Sequence, residues 1–137
     1  MRLLFKENYN IYYENTDASG FTYHTAYLNI AERSRSNLLI KYFPEVITFL
    51  KSNKYFFVLH KLKVNFYIPT YLYDKLNVST YFIDNNFTSL KLLQRFTKDD
   101  ANVCEIFANL VWISGDTKKP SKIPVDIISR FKSMEVV

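Results

Sequence analysis

The stretch Tyr12–Arg35, YYENTDASGFTYHTAYLNIAERSR, decides how this chain folds and what chemistry it can carry. It reads as the end of a strand, a tight acidic turn and the start of a helix. Asp17 sits in the turn, and Gly20, one of only two glycines in the sequence, follows it. Glycine supplies the backbone freedom that a sharp reversal needs. From about His24 the pattern is helical, with no proline until Pro44. The turn therefore delivers a carboxylate close to the N-terminal end of a helix. That end carries unpaired N–H groups and partial positive charge, which suit a developing anion. A carboxylate beside an anion-stabilising site is a starting point for acyl transfer.

Downstream of the turn, helical periodicity puts His24, Tyr27, Leu28, Ala31, Leu38 and Tyr42 in one broad stripe. Asn29, Arg33, Ser36 and Asn37 fall opposite. Arg35 lies inside the apolar stripe and needs a specific partner, with Glu32 the candidate at helical pair spacing. Pro44 ends this helix, and Pro44–Ser52 reads as a short second one. Upstream, residues 7–13 (ENYNIYY) alternate with Tyr9, Ile11 and Tyr13 on one face, which predicts the first strand.

The rest reads as sheet: strands over Tyr55–Ile68, Leu76–Ile83, Phe87–Thr97 and Ala101–Ser114. Asp84-Asn85-Asn86 and Lys98-Asp99-Asp100 are turn signals between the last three. The last strand has Val103, Phe107, Val111 and Ile113 on one face, and its other face is also largely apolar. Pro124 is well placed to open a closing helix, Val125–Lys132. One long helix among about five antiparallel strands, without alternating βαβ units, is an α+β domain. The length of 137 residues suits one domain spanning 1–137.

Composition narrows the function. Apolar residues make up 48% and charged residues 23%, as in an ordinary globular protein. The net charge of +5 suits an anionic ligand such as a phosphorylated cofactor. No block of like charges marks a nucleic-acid tail. Cys104 is the only cysteine, so no intrachain disulfide forms, and with two histidines, His24 and His60, a zinc centre is not expected. MRLLFKENYN has no long apolar stretch, so no signal peptide is expected, and no apolar run reaches the roughly 18 residues of a membrane span. A reducing cytoplasm is the expected location.

At Tyr12–Arg35 the chain resembles the hot dog fold thioesterases of the 4-hydroxybenzoyl-CoA thioesterase type, in particular the bacterial YbgC-like acyl-CoA thioesterases linked to the Tol-Pal system. The family's pattern of Tyr, Thr or Cys, Asp, Gly, two aromatic or His positions, Tyr, and Glu-x-x-Arg is met in register by Tyr13, Thr16, Asp17, Gly20, Tyr23, His24, Tyr27, Glu32 and Arg35. A looser likeness runs through Val58–Val78 and the tail before Pro124. Thr22, Ser34 and Asn65 depart from the usual residues, which bears on substrate choice rather than on the catalytic group. The resemblance implies a hot dog fold: a five-stranded antiparallel sheet wrapped around one long helix. It further implies acyl-CoA or acyl-carrier-protein thioester hydrolysis without metal or redox cofactor, coenzyme A being part of the substrate. The family forms dimers by joining sheets edge to edge, often pairing them into tetramers. The active site lies at the interface, where Asp17 of one subunit would face the helix start of the other.

The resemblance and the residues together suggest roles. Asp17 attacks the thioester carbonyl or activates a water that does, with partial burial tuning its pKa; from the residues alone, without the motif, it reads first as an Asx-turn or N-cap. The backbone N–H at His24 helps hold the thioester oxygen and its side chain contacts the substrate, or His24 is a structural residue at the helix end. Tyr13 either orients Asp17, closes the acyl pocket, or packs in the core. Glu32 either positions water or pairs with Arg35. Tyr23 and Tyr27 serve packing rather than catalysis, or wall the acyl site. Lys61 and Lys63, with Lys91 and Arg95, are the strand cations that could meet the phosphates of coenzyme A. His60 is assigned to a subunit interface and Cys104 to an inert core position. A non-catalytic acyl-CoA or acyl-carrier-protein binding module, working in envelope or lipid organisation, is the alternative reading, and a hot dog dehydratase the third.

Overall fold

The computed structural model describes residues 1–134. The elements are β1 (Arg2–Asn10), a single 3₁₀ turn (Tyr13–Asn15), α1 (His24–Tyr42), α2 (Pro44–Lys51), β2 (Tyr55–Phe66), β3 (Lys75–Asn85), β4 (Ser89–Lys98), β5 (Ala101–Ser114) and α3 (Val125–Ser133). The strands form one antiparallel sheet in the order β1-β3-β4-β5-β2, with α1 lying across its inner face. This is the expected α+β arrangement of five strands around one long helix.

Local chemistry closes the hairpins. Asp99 and Asp100 both take positive φ (49° and 66°), the left-handed pair that a two-residue hairpin turn requires, and so join Lys98 to Ala101. Asn86 caps the β3–β4 turn, its Oδ1 accepting from the Thr88 N–H at 2.9 Å. At Gly115 a Cβ would stand 1.8 Å from the Asn53 carbonyl oxygen, so the close approach of β5's end to the α2–β2 loop requires glycine.

The core has two apolar halves. One, under α2 and α3, is built on Trp112, Phe43, Phe131 and Leu38; the other, under the first turns of α1, on Tyr27, Ile30, Leu76, Phe96 and Ile106. Between them lies a fully buried polar pair, Thr80 and Gln94. Gln94 Nε2 donates to the Ala31 carbonyl at 2.9 Å, and its Oε1 accepts from Arg35 Nη1 at 2.8 Å. Gln94 is therefore the partner that Arg35 needs. The Glu32–Arg35 pair does not form; Glu32 is exposed and accepts from Ser36 Oγ at 2.7 Å instead.

Several boundaries and faces differ from the sequence reading. The first strand is Arg2–Asn10, not 7–13, because Leu3 to Phe5 pair with Tyr81 and Thr80 through a bulge that buries Leu4. Tyr13 is consequently on the 3₁₀ turn, 72% exposed, neither on a strand nor in the core. In α1 the buried stripe includes Ile30 and Ser34, while His24 at the helix tip is exposed. Asn37 is half-buried and donates to the Glu7 carboxylate at 3.0 Å, tying α1 to β1. In β5 the face against the helix is Cys104, Ile106, Ala108, Leu110 and Trp112; Phe107, Val111 and Ile113 lie on the outer face.

β2 lies at one side of the sheet and, among the described residues, pairs with β5 alone. Val58, Leu59, Leu62 and Phe66 on this strand are exposed.

Candidate active site

The acidic turn is closed by backbone bonds from Asp17 N–H to the Phe21 carbonyl (2.9 Å) and from Gly20 N–H to the Asp17 carbonyl (3.0 Å). Gly20 has φ of +86°, a conformation that L side chains rarely adopt. Thr22 N–H then bonds the Thr70 carbonyl (2.9 Å), and Tyr23 N–H the Asn15 carbonyl (3.1 Å), fixing the turn against the loop before β3 and the 3₁₀ turn. The chain enters α1 at Tyr23, whose side chain makes no capping bond, and no acidic residue stands in the first turn. The positive end of the helix is therefore left uncompensated by its own sequence.

Asp17 and the start of α1 line one pocket of about 510 Å³. Asp17, Tyr23 and His24 stand on one side, Tyr27 in the depth, and Phe66 to Pro69 on the other. Asp17 is exposed in the protomer, and its Oδ1 accepts two bonds from Ser19, from N–H at 2.9 Å and from Oγ at 2.5 Å. These two bonds, the hydroxyl first, hold the carboxyl below the ordinary carboxylate range. Hydrogen bonding thus sets its state, in place of the partial burial expected, and the group is ionised at neutral pH.

Tyr27 is buried, its hydroxyl 2.7 Å from Thr70 Oγ1, which is in turn 2.7 Å from Thr22 Oγ1. Burial pushes the Tyr27 phenol above its usual value, so it remains a neutral hydrogen-bonding group. The chain of three hydroxyls gives Thr22 its purpose: it locks the turn to the pocket floor. The Tyr27 ring meets Phe66 edge-on (5.7 Å between centroids), and the His24 ring lies against the same Phe66 at 4.8 Å. Tyr23 donates its hydroxyl to the Glu14 carbonyl at 2.7 Å, so its ring is a fixed wall.

The structure thus brings together Asp17, His24, Tyr23 and Tyr27. It leaves Tyr13 outside, packed edge-on against Tyr73 at 5.8 Å. Glu32 is two turns along α1, roughly 12 Å further from the helix start at 1.5 Å per residue, and does not line the pocket. Lys61 and Lys63 also stand away from this pocket. A bulge between Leu59 and Lys61 reverses the alternation of β2, so both side chains stand on the outer face. There they border a separate depression of about 270 Å³ with Lys91, Phe107 and Asn109. Arg95 is engaged by Glu105 at 2.8 Å. His60 is exposed at the β2 bulge. Cys104 is fully buried, and burial pushes its thiol up to about 12, so it is inert at neutral pH.

Sequence reasoning missed Ser19, Thr70 and the Phe66–Pro69 wall. Ser19 had a readable signal, a hydroxyl residue two positions after an Asp in a turn, where the side chain accepts from the backbone. Thr70 had none, since its partners are 48 and 43 residues away. Among the described residues no cluster of three or more His, Cys, Asp or Glu could hold a metal ion. Among the same residues no helix is long and apolar enough to cross a membrane.

Comparison with known proteins bears on the family and the fold. Residues 13–131 match the family model of the thioesterase-like superfamily. The acyl-CoA thioester hydrolase YbgC of Escherichia coli O6:H1 is 32% identical over 94% of this chain and 96% of its own length. The acyl-CoA thioesterase YbgC of Haemophilus influenzae is 25% identical, over 91% of this chain and 92% of its own. Among solved structures, a 1,4-dihydroxy-2-naphthoyl-CoA thioesterase from Synechocystis superposes with a TM-score of 0.85 at 14% identity, covering 95% of this chain and 96% of that one. By sequence and by its hot dog fold, this chain belongs to the thioesterase-like superfamily.

Proposed function

We propose that this chain is an acyl-CoA thioester hydrolase acting on short-chain or aromatic acyl groups, with Asp17 as nucleophile or general base and the N-terminus of α1 at His24 as the oxyanion site. The observation that carries the reading is that an ionised carboxylate and an uncapped helix N-terminus share one pocket. The relatives named above support the thioester class of the substrate.

In this reading the thioester oxygen rests against first-turn N–H groups of α1, where the helix end stabilises the charge that develops on it. The free oxygen of Asp17 attacks the carbonyl carbon, or takes a proton from the water that does. The C–S bond breaks and coenzyme A departs as its thiolate, which takes its proton from the water that is consumed, directly or through Asp17. In the nucleophilic branch, water then cleaves the acyl–Asp17 anhydride and restores the carboxylate. Tyr23, Tyr27 and Phe66 bound the acyl group. Tyr27 closes the depth of the pocket, which limits the length of chain it accepts. The protein works in the cytoplasm as a homodimer or homotetramer, with the exposed edge of β2 as the joining strand. Because Phe66 ends β2, such joining also encloses the pocket wall.

A panel of acetyl-, butyryl-, benzoyl- and palmitoyl-CoA, followed by release of free thiol, tests the reading. Short-chain or benzoyl-CoA is expected to turn over faster than palmitoyl-CoA. Preference for palmitoyl-CoA would overturn the pocket assignment. Tight binding of every ester with no hydrolysis would replace the enzyme with a binding module.

A further inference from the structure

We propose that Ser19 is the positioning residue for Asp17: its N–H and Oγ–H together hold Oδ1, so that Oδ2 alone is presented to the thioester. This rests on the reading of Asp17 as the catalytic carboxylate. An exposed aspartate ordinarily turns freely about two torsions, and both oxygens are equivalent to solvent. Here both donors converge on one oxygen, at 2.9 and 2.5 Å, and among the described residues Oδ2 has no protein donor. The two bonds fix the carboxylate plane, and the turn that carries them is rigid in its own right. Asp17 N–H is tied to the Phe21 carbonyl and Gly20 N–H to the Asp17 carbonyl, with Gly20 in the left-handed region. Neither donor comes from the core. Ser19 is itself exposed, so its hydroxyl is not needed to fill space.

The arrangement answers a chemical problem. When an acyl-CoA enters the pocket it displaces water from Asp17, and desolvation pushes a carboxyl toward its neutral, unreactive form. Two fixed donors replace the lost water on Oδ1, so the charge survives substrate binding. The unbonded oxygen keeps its lone pairs for the attack or for the proton of water. The same bonds hold the carboxyl low before substrate arrives. Positioning of this kind contributes through orientation, where small misplacements are costly in rate.

The test uses Ser19→Ala and Ser19→Thr in the full chain, with benzoyl-CoA or the best ester of the panel. The kcat and KM are measured by chromatographic detection of released CoA from pH 3 to 8, and each variant's melting temperature is recorded. Ser19→Ala is expected to lower kcat about tenfold, the scale of one hydrogen bond to a charged group. KM should stay within about threefold, since the substrate does not touch the hydroxyl. The acid limb of the kcat profile should move to higher pH, because the strongest support of the ionised carboxylate is gone. Ser19→Thr retains the hydroxyl and should restore both kcat and the limb. Wild-type kcat and an unmoved limb in Ser19→Ala would overturn the proposal. So would a Thr variant as impaired as the Ala variant at an unchanged melting temperature, since the hydroxyl would then be irrelevant. Asp17→Asn in parallel separates the two levels. If that variant retains turnover, the catalytic assignment itself fails; if it is inactive while Ser19→Ala is normal, only the positioning role fails.

Discussion

Gln94→Leu is the substitution that probes most directly how α1 is held over the sheet. Leu is close to Gln in volume, so no cavity opens, and the loss is purely of hydrogen bonds. Arg35 Nη1 loses its acceptor at 2.8 Å, the Ala31 carbonyl loses its side-chain donor at 2.9 Å, and Thr80 Oγ1 loses a weaker contact at 3.3 Å. A hydrogen bond to a charged group contributes about 1.5–3 kcal/mol and a neutral one about 1 kcal/mol. Arg35 is only half-buried and regains some water, while Leu gains from sitting in a fully buried site. The net expectation is a loss of about 2 kcal/mol, or about 6 °C in melting temperature at roughly 3 °C per kcal/mol. Urea unfolding at fixed protein concentration measures it, with concentration held constant because an oligomer's stability depends on it. The double variant Arg35→Met with Gln94→Leu removes both partners and should recover to within about 1 kcal/mol of wild type. A single variant within about 0.5 kcal/mol of wild type, or a double variant worse than the sum of the two singles, would refute the reasoning.

Two further outcomes are expected. Light scattering at micromolar concentration should give a dimer or tetramer, because an apolar sheet edge of this length does not stay free in water; a monomer would remove the shared edge from the account. Glu105 accepts from Tyr67 Oη at 2.7 Å and from Arg95 at 2.8 Å, and these bonds, the Tyr67 bond first, hold its carboxyl below the ordinary range. A depressed carboxyl adds stability that is complete above its unfolded pKa of about 4.3 and is lost as pH falls through the lower folded value. Glu105→Gln should therefore flatten the acid side of the melting-temperature profile below about pH 4. An unchanged acid slope would contradict it.

The parts of this protein legible in its sequence are those written in local pattern. The period of α1, the Asp–Gly turn before it and the paired aspartates between β4 and β5 each carry their own physical signal within a few residues. What was not legible depends on distant partners. Arg35 announced a need for an acceptor, but Gln94 is 59 residues away and carries no mark of the role. The face of Lys61 and Lys63 was lost to a single extra residue. Without the bulge at His60 the alternation through Tyr55, Phe57 and Leu59 would carry both lysines toward the helix. With it, Leu62, Val64 and Phe66 take that face of the strand instead. The first strand was misplaced because Leu3, Leu4 and Phe5 form an unbroken apolar run, and their pairing is with residues near Phe82. At the site, the side of the pocket formed by the turn and helix start was readable, and the side formed by Phe66–Pro69 was not.

The central claim is that the Asp17 carboxylate drives hydrolysis. Single-turnover hydrolysis of benzoyl-CoA, or of the panel's best ester, by wild type and by Asp17→Asn tests it most directly. The Asn side chain keeps the size and the turn-capping oxygen but cannot attack or accept a proton as a carboxylate does. The account predicts a rate at least about 10²-fold lower, the scale of a lost general base. Affinity for the ester should be little changed and stability lower by no more than about 1–2 kcal/mol. An Asn variant that hydrolyses the ester at the wild-type rate would contradict the account and make the acidic turn a structural cap.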